Sequence, residues 1–166
     1  MDDLDATEGE PERTVSFVVF QLGGESYALE VGRVREVLDV GDLTRVPGGA
    51  DSLAGLCNVR GHVVPVWDLR VPFQLGHGGP SGRSPCVLMV EPEADRSGRV
   101  AGLLVDRVSD VLEIGPDDIQ PAPTLGLGGG SAFVRALIRH QDRFLLWIDL
   151  DRVFAALGVA ARTGAA

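Results

Sequence analysis

Two short runs hold the residues best placed to do chemistry. PVWDL at 65–69 and LWIDL at 146–150 carry Asp68 and Asp149 at matched positions, at an offset of 81 residues (Asp68 to Asp149). Two carboxylates in equivalent places of two similar halves suggest a proton-sharing pair that activates water, the chemistry of a small β-barrel hydrolase. Each is followed by Leu, where that chemistry uses Thr/Ser-Gly, and a turn carboxylate at a strand end is the preferred reading. His62, His77 and His140 have no His, Cys or acid at ligand spacing, so no metal is expected. Cys57 and Cys86 each stand alone in an apolar stretch and read as reduced, packed thiols. The LGLGGG run precedes no Gly-Lys-Ser/Thr and leads into a strand, which argues for a loop and against a phosphate cradle. All fifteen basic residues are arginine, so chemistry that needs a lysine is excluded. No nucleophile finds a base and no cofactor is expected: the catalytic set is empty.

One stretch asks for a different use. In NVRGHVVPVWDLR, residues 58–70, Gly61 suits a tight turn, after which HVVPVWDL resumes as a strand. Pro65 cannot donate to a ladder, so this strand is expected at an edge or a bend, and an open edge is a docking surface. Arg60 has a planar fork of donors suited to a carboxylate, and Glu36 is a fitting partner. The pair also reads as a plain structural clamp, and exposed pairs add little stability.

The elements that must position these residues are strands. Val and Leu fall in short runs between Gly- and Pro-containing breaks. VSFVVFQL and YALEV flank a Gly-Gly turn, CVLMVEP and RVAGLLVDRV flank EADRSG, and FVRALIR and FLLWIDL flank HQDR. The chain is also written twice. YALEVGRVREVL (27–38) matches AGLLVDRVSDVL (101–112) without a gap, at an offset of 74 residues (Leu29 to Leu103). This predicts an all-β protein of two similar barrels, the first roughly 15–83 and the second roughly 84–158, with boundaries that can interleave. DLDRVFAALG adds a short C-terminal helix, with Asp149 as N-cap and Gly158 as stop.

The net charge of −9 is concentrated at one end. Six of the 24 acids lie within residues 1–12 and only Arg13 opposes them, leaving 18 acids against 14 arginines from residue 14 on. Residues 1–14 read as a disordered acidic tail, and 159–166 as a second tail. No basic face exists for nucleic acid, and no apolar run reaches the roughly 18 residues that span a bilayer. With no signal-like N-terminus, the expected location is the cytoplasm.

At this point the residues resemble a family. RVREVL, TRVPGGADSLAGLCNVRGHVVPVWDLR, VAGLLVDRVSDVLEI and IQPAP together look like the CheW-like coupling proteins of bacterial chemotaxis, over roughly residues 15–158. The resemblance implies two five-stranded SH3-like β-barrels side by side and no enzyme activity. It implies an adaptor that joins the cytoplasmic tip of a methyl-accepting chemoreceptor to the regulatory domain of a CheA-type histidine kinase. Such a protein is a monomer outside the array and is recruited to arrays at the inner face of the membrane. Carried over by position, the salt-bridging pair falls on Glu36 and Arg60, and the receptor-binding groove on Val34, Val87, Gly102 and Val108. The kinase-binding edge falls on Val63, Val64 and Val66. On composition alone Val34, Val87 and Val108 read as core. Cys57, His62, the loop TLGLGGGS and the acidic N-terminus depart from the family pattern. An alternative on the same fold is a coupler for a non-flagellar motility or other sensory pathway that binds only one of the two partners. No receiver, ATP-binding or phosphotransfer segment accompanies the barrels, which favours a stand-alone coupler.

Overall fold

The computed structural model describes residues 13–75, 85–92, 99–122 and 132–158. The acidic tail up to residue 12, His77, the Gly-rich loop and residues 159–166 lie outside the described residues. Among the described residues eleven strands and one α-helix follow in order. They are β1 (Val15–Leu22), β2 (Glu25–Glu30), β3 (Val34–Asp39), β4 (Leu53–Val59), β5 (His62–Asp68) and β6 (Cys86–Val90). Next come β7 (Ala101–Val105), β8 (Arg107–Ile114), β9 (Ile119–Pro121), β10 (Val134–His140), β11 (Arg143–Ile148) and α1 (Leu150–Leu157). The fold is all-β with one short C-terminal helix. Asp149 caps α1 by accepting from the Arg152 N–H, and Gly158 ends it at φ 79°.

One sheet has the order β8-β1-β2-β11-β10-β9 and the other β3-β6-β7-β5-β4. The two sequence repeats divide near residue 83, but the sheets exchange strands across that point. The first repeat sends β1 and β2 into the sheet built by β8–β11, and the second sends β6 and β7 into the sheet built by β3–β5. Each barrel is therefore a hairpin from one repeat completed by strands of the other. The repeated motif is the crossover itself: 27–38 runs from β2 into β3, and 101–112 from β7 into β8.

The repeats agree in detail that sequence matching does not reach. β5 pairs in parallel with β7, and β11 in parallel with β2. Register shifts fall between Val34 and Glu36 where β3 meets β6, and opposite Ser109 where β8 meets β1, so Arg35 and Ser109 are equivalent bulge residues. A second pair of shifts falls at Ala54 and Arg135. Five strands per barrel were expected and one sheet has six. The extra strand, β9, pairs with β10 where the other barrel has the isolated bridge Thr44–Leu56.

Three apolar clusters explain why the exchanged hairpins are the most hydrophobic elements. Along β1, Val18, Phe20 and Leu22 join a core between the two barrels, while Phe17 and Val19 face the interior of the six-stranded barrel. Along β6, Cys86, Leu88 and Val90 join the same inter-barrel core, while Val87 and Met89 fill the five-stranded barrel. Strands buried on both faces read as unbroken apolar runs. By contrast β3 is exposed at Arg35, Val37 and Asp39 and alternates, as a barrel's outer wall should. Phe73, Leu150, Val153 and Phe154 close the inter-barrel core.

Tyr27 lies in that core against Phe20 and Phe73, with ring centroids 5.7 and 5.4 Å away. Burial, with the Glu25 charge second, pushes its phenol up to about 12. The unfolded phenol titrates near its ordinary 10.0, so above that value the unfolded chain loses a proton that the folded chain keeps. Stability should be unaffected by this group below pH 10 and fall between about 10 and about 12. Tyr27 is the sole tyrosine, so phenolate absorbance reports it alone. Titration of the folded protein at the ordinary value would contradict this packing.

Candidate functional site

The sequence stretch that stood out forms the mouth of the five-stranded barrel. Val59 pairs with His62, leaving Arg60 and Gly61 as a two-residue turn with φ of 49° and 87°. Positive φ at both positions matches the twist of the flanking strands, and Asn58 Oδ1 accepts from the Gly61 N–H at 2.9 Å. The turn lifts Arg60 over β3, where Nη1 donates to Glu36 Oε1 at 3.4 Å and Nη2 donates to Oε2. The Glu36 hydrogen bond, with its charge second, pushes the Arg60 guanidinium further up. Beside the pair opens a cleft of about 590 Å³ lined by Val63, Val64, Pro65, Met89 and Val100, with Arg35 and Arg99 at its rim. Arg35 is held by Glu91 at 2.7 Å.

Pro65 lies where pairing changes. The first half of β5 pairs only with β4, and the parallel ladder to β7 covers Val66, Trp67 and Asp68. The strand is thus interior in its second half and a free edge over His62–Pro65, on the side of the cleft. Of the residues assigned to a kinase-binding edge, Val63 is 66% exposed, whereas Val64 and Val66 are 2% and 0% exposed and fill the barrel. Of the three, Val63 alone is exposed.

The residues assigned to a receptor groove do not share one surface. Val34 and Val108 are half-buried against the inter-barrel core. Val87 and Gly102 are buried on neighbouring strands inside the five-stranded barrel. A Cβ on Gly102 would stand 2.6 Å from Val87 Cγ1 and 3.1 Å from Val66 Cγ2, so glycine here answers close packing. Val34 and Val108 remain as the accessible members, at the seam where both crossovers change sheet.

The paired aspartates serve the backbone. Asp68 Oδ1 accepts from the Arg70 N–H at 3.0 Å, and Asp149 Oδ1 from the Arg152 N–H at 3.2 Å. Both carboxylates begin a turn or helix at a strand end, each engaged by a backbone N–H two or three residues on. The Cys57 and Cys86 thiols are free, the first half-buried and the second buried, and burial pushes both up.

Sequence reasoning missed a buried ion pair. Arg70 and Asp106, whose side chains are each 6% exposed, meet at 2.7 Å, and Asp106 Oδ2 also accepts from the Gly23 N–H at 3.0 Å. The end of β5, the β7–β8 crossover and the β1–β2 turn are thereby tied across the two barrels. Asp151, the counterpart of Arg70, meets Arg33, one residue past the counterpart of Asp106, at 3.2 Å. The signal was present in the repeat: Asp106 stands where the first copy has Gly32.

With this geometry in view, comparison with known proteins is specific. A family model described as "CheW-like domain" matches residues 16–158. The protein "Chemotaxis protein CheW" of Klebsiella aerogenes is 31% identical over 140 residues, covering 84% of this chain and 81% of that protein. A protein of the same name from Rhizobium meliloti is 31% identical over 137 residues, covering 82% of this chain and 85% of that protein. The crystal structure of scaffolding protein TtCheW from Thermoanaerobacter tengcongensis superposes with a TM-score of 0.75 at 32% identity, over 86% of this chain and 93% of that one.

Proposed function

The chain belongs to the CheW-like domain family, and from that premise we propose that it is a non-catalytic adaptor of chemosensory signalling that couples chemoreceptors to a CheA-type histidine kinase. The observation that carries this reading is similarity over nearly the whole of both chains to a scaffolding protein of the same two-barrel architecture. The finer assignments rest on the sites. The regulatory domain of the kinase docks on the mouth of the five-stranded barrel, where Val63 projects beside the Glu36–Arg60 pair and the edge of β5 is free. The receptor's cytoplasmic tip docks at the seam, on Val34 and Val108. Binding there is recognition of shape and apolar surface, with no bond made or broken, and the Glu36–Arg60 clamp fixes the turn that carries Val63.

No helix among the described residues is long and apolar enough to cross a membrane. The proposed setting is the cytoplasm, with recruitment to receptor arrays through the partners and a monomer outside them.

Pull-down of a CheA-type regulatory domain and of a receptor tip by the wild-type protein tests the reading. Capture of both is expected, with kinase capture reduced by Arg60→Ala and receptor capture reduced by Val108→Asp. Thermal melts confirm that each variant is folded. Failure of the wild type to capture either partner would overturn the adaptor role, and full binding by both variants would remove the assigned sites.

A further inference from the structure

The duplication produces a second barrel mouth with a different charge plan, and we infer that it is a binding site for an acidic side chain, Asp or Glu, of a protein partner. This cleft, of about 170 Å³, opens on the six-stranded barrel between β8, β1, β2 and the β10–β11 turn. Position for position it is the counterpart of the first cleft: Asp110 stands for Glu36, Gln141 for Arg60 and Arg143 for His62. Gln141 and Asp142 form the equivalent two-residue turn, with φ of 53° and 63°. In the first cleft the acid on β3 is neutralised by the arginine of the turn. In the second the turn offers Gln141, and the cations are Arg143 and Arg107.

A chain of hydrogen bonds sets these groups. Arg143 Nη2 donates to Ser26 Oγ at 3.0 Å, Ser26 Oγ to Gln21 Oε1 at 3.1 Å, and Gln21 Nε2 to Ser109 Oγ at 3.4 Å. Ser109 Oγ in turn donates to the Val19 carbonyl at 3.3 Å. Arg107 is the cross-strand partner of Gln21, which is the partner of Ser26, so Arg107 and the serine that holds Arg143 stand on strands about two spacings, or ~10 Å, apart. Ser26 is buried and takes one donor of Arg143, leaving the rest of its fork unused. Among the described residues neither Arg107 nor Arg143 forms an ion pair. Two arginines line this cleft against one carboxylate, Asp110, with Asp142 on the adjoining turn, in a chain of net charge −9. A carboxylate matches the planar fork of arginine. The volume is below the several hundred Å³ of small-molecule sites and suits one side chain. The inference goes beyond the adaptor reading and does not require it.

Titration of the full chain with acetylated tetraglutamate, followed by NMR of the arginine side chains, tests this. The Arg107 and Arg143 signals should shift and that of Arg60 should not. Binding should weaken steeply as ionic strength rises from about 0.01 M to about 1 M, where the screening length falls from ~30 to ~3 Å. Arg107→Glu and Arg143→Glu should each weaken binding about tenfold or more, while Arg60→Glu leaves it within about twofold. Absence of binding, or binding that Arg107→Glu leaves intact, would overturn the site. So would a parallel titration in which inorganic phosphate shifts the same signals at lower concentration than the peptide. Because peptide binding is read on the protein alone, its failure is distinguishable from a failure to capture the kinase.

Discussion

Replacing Arg70 with alanine is expected to destabilise the protein by about 3 to 5 kcal/mol, a large share of the stability of a domain this size. The magnitude follows from burial. Asp106 sits with both carboxylate oxygens engaged, one by Arg70 at 2.7 Å and one by the Gly23 N–H at 3.0 Å. Removing the guanidinium leaves a buried carboxylate with half its partners, which costs far more than an exposed pair such as Glu36–Arg60 can. The penalty belongs to the orphaned charge and not to the attraction that was lost. Replacing both partners, as in Arg70→Met with Asp106→Leu, should therefore recover most of the loss. Urea unfolding with constant slope gives both numbers. A loss below about 1 kcal/mol for Arg70→Ala would mean that water reaches the pair.

Val63→Asp is expected to weaken capture of the kinase regulatory domain by about 30-fold or more, in the range of an interface hot spot of about 2 kcal/mol or above. Its neighbours show why this position separates binding from folding. Val63 is 66% exposed, so a carboxylate there meets water in the free protein and the melting temperature should hardly move. Val64 and Val66 face the barrel interior, and the same change at either would act through unfolding. Isothermal titration of the kinase domain, with thermal melts of each variant, makes the distinction. Undiminished binding by a folded Val63→Asp protein would move the kinase surface elsewhere. Phe144 is the corresponding exposed residue on the other barrel and provides an internal comparison.

How far the sequence could be read depended on whether a feature is written locally. The Gly-Gly hairpin, the capped helix and the duplication at offsets of 74 and 81 residues are local patterns, and each identified its element. The exchange of strands is not local. RVAGLLVDRV reads as one strand, yet the chain turns at Asp106 and β7 and β8 enter different sheets. No periodicity distinguishes a strand that continues from one that changes partner, because alternation of side chains records faces and not neighbours. Which valine of β5 faces outward is unreadable for a related reason. Val63, Val64 and Val66 are one residue type on one strand, and only register decides that Val63 points out. Glu36 and Arg60 were identified because an Arg before a turn glycine and an acid in a repeated motif are each unusual. Arg70 was passed over because DLR looks like an ordinary strand end, although Asp106 in place of Gly32 marked its partner.

Lacing each hairpin into the opposite barrel means that neither barrel owns a complete set of strands from one stretch of chain. Melting one would strip the other of its most apolar hairpin, so the two must open together or not at all. Force applied between residues 15 and 158 would load both sheets at once. An adaptor held between two large partners would on this account transmit strain as a stiff block, and not as two beads on a hinge.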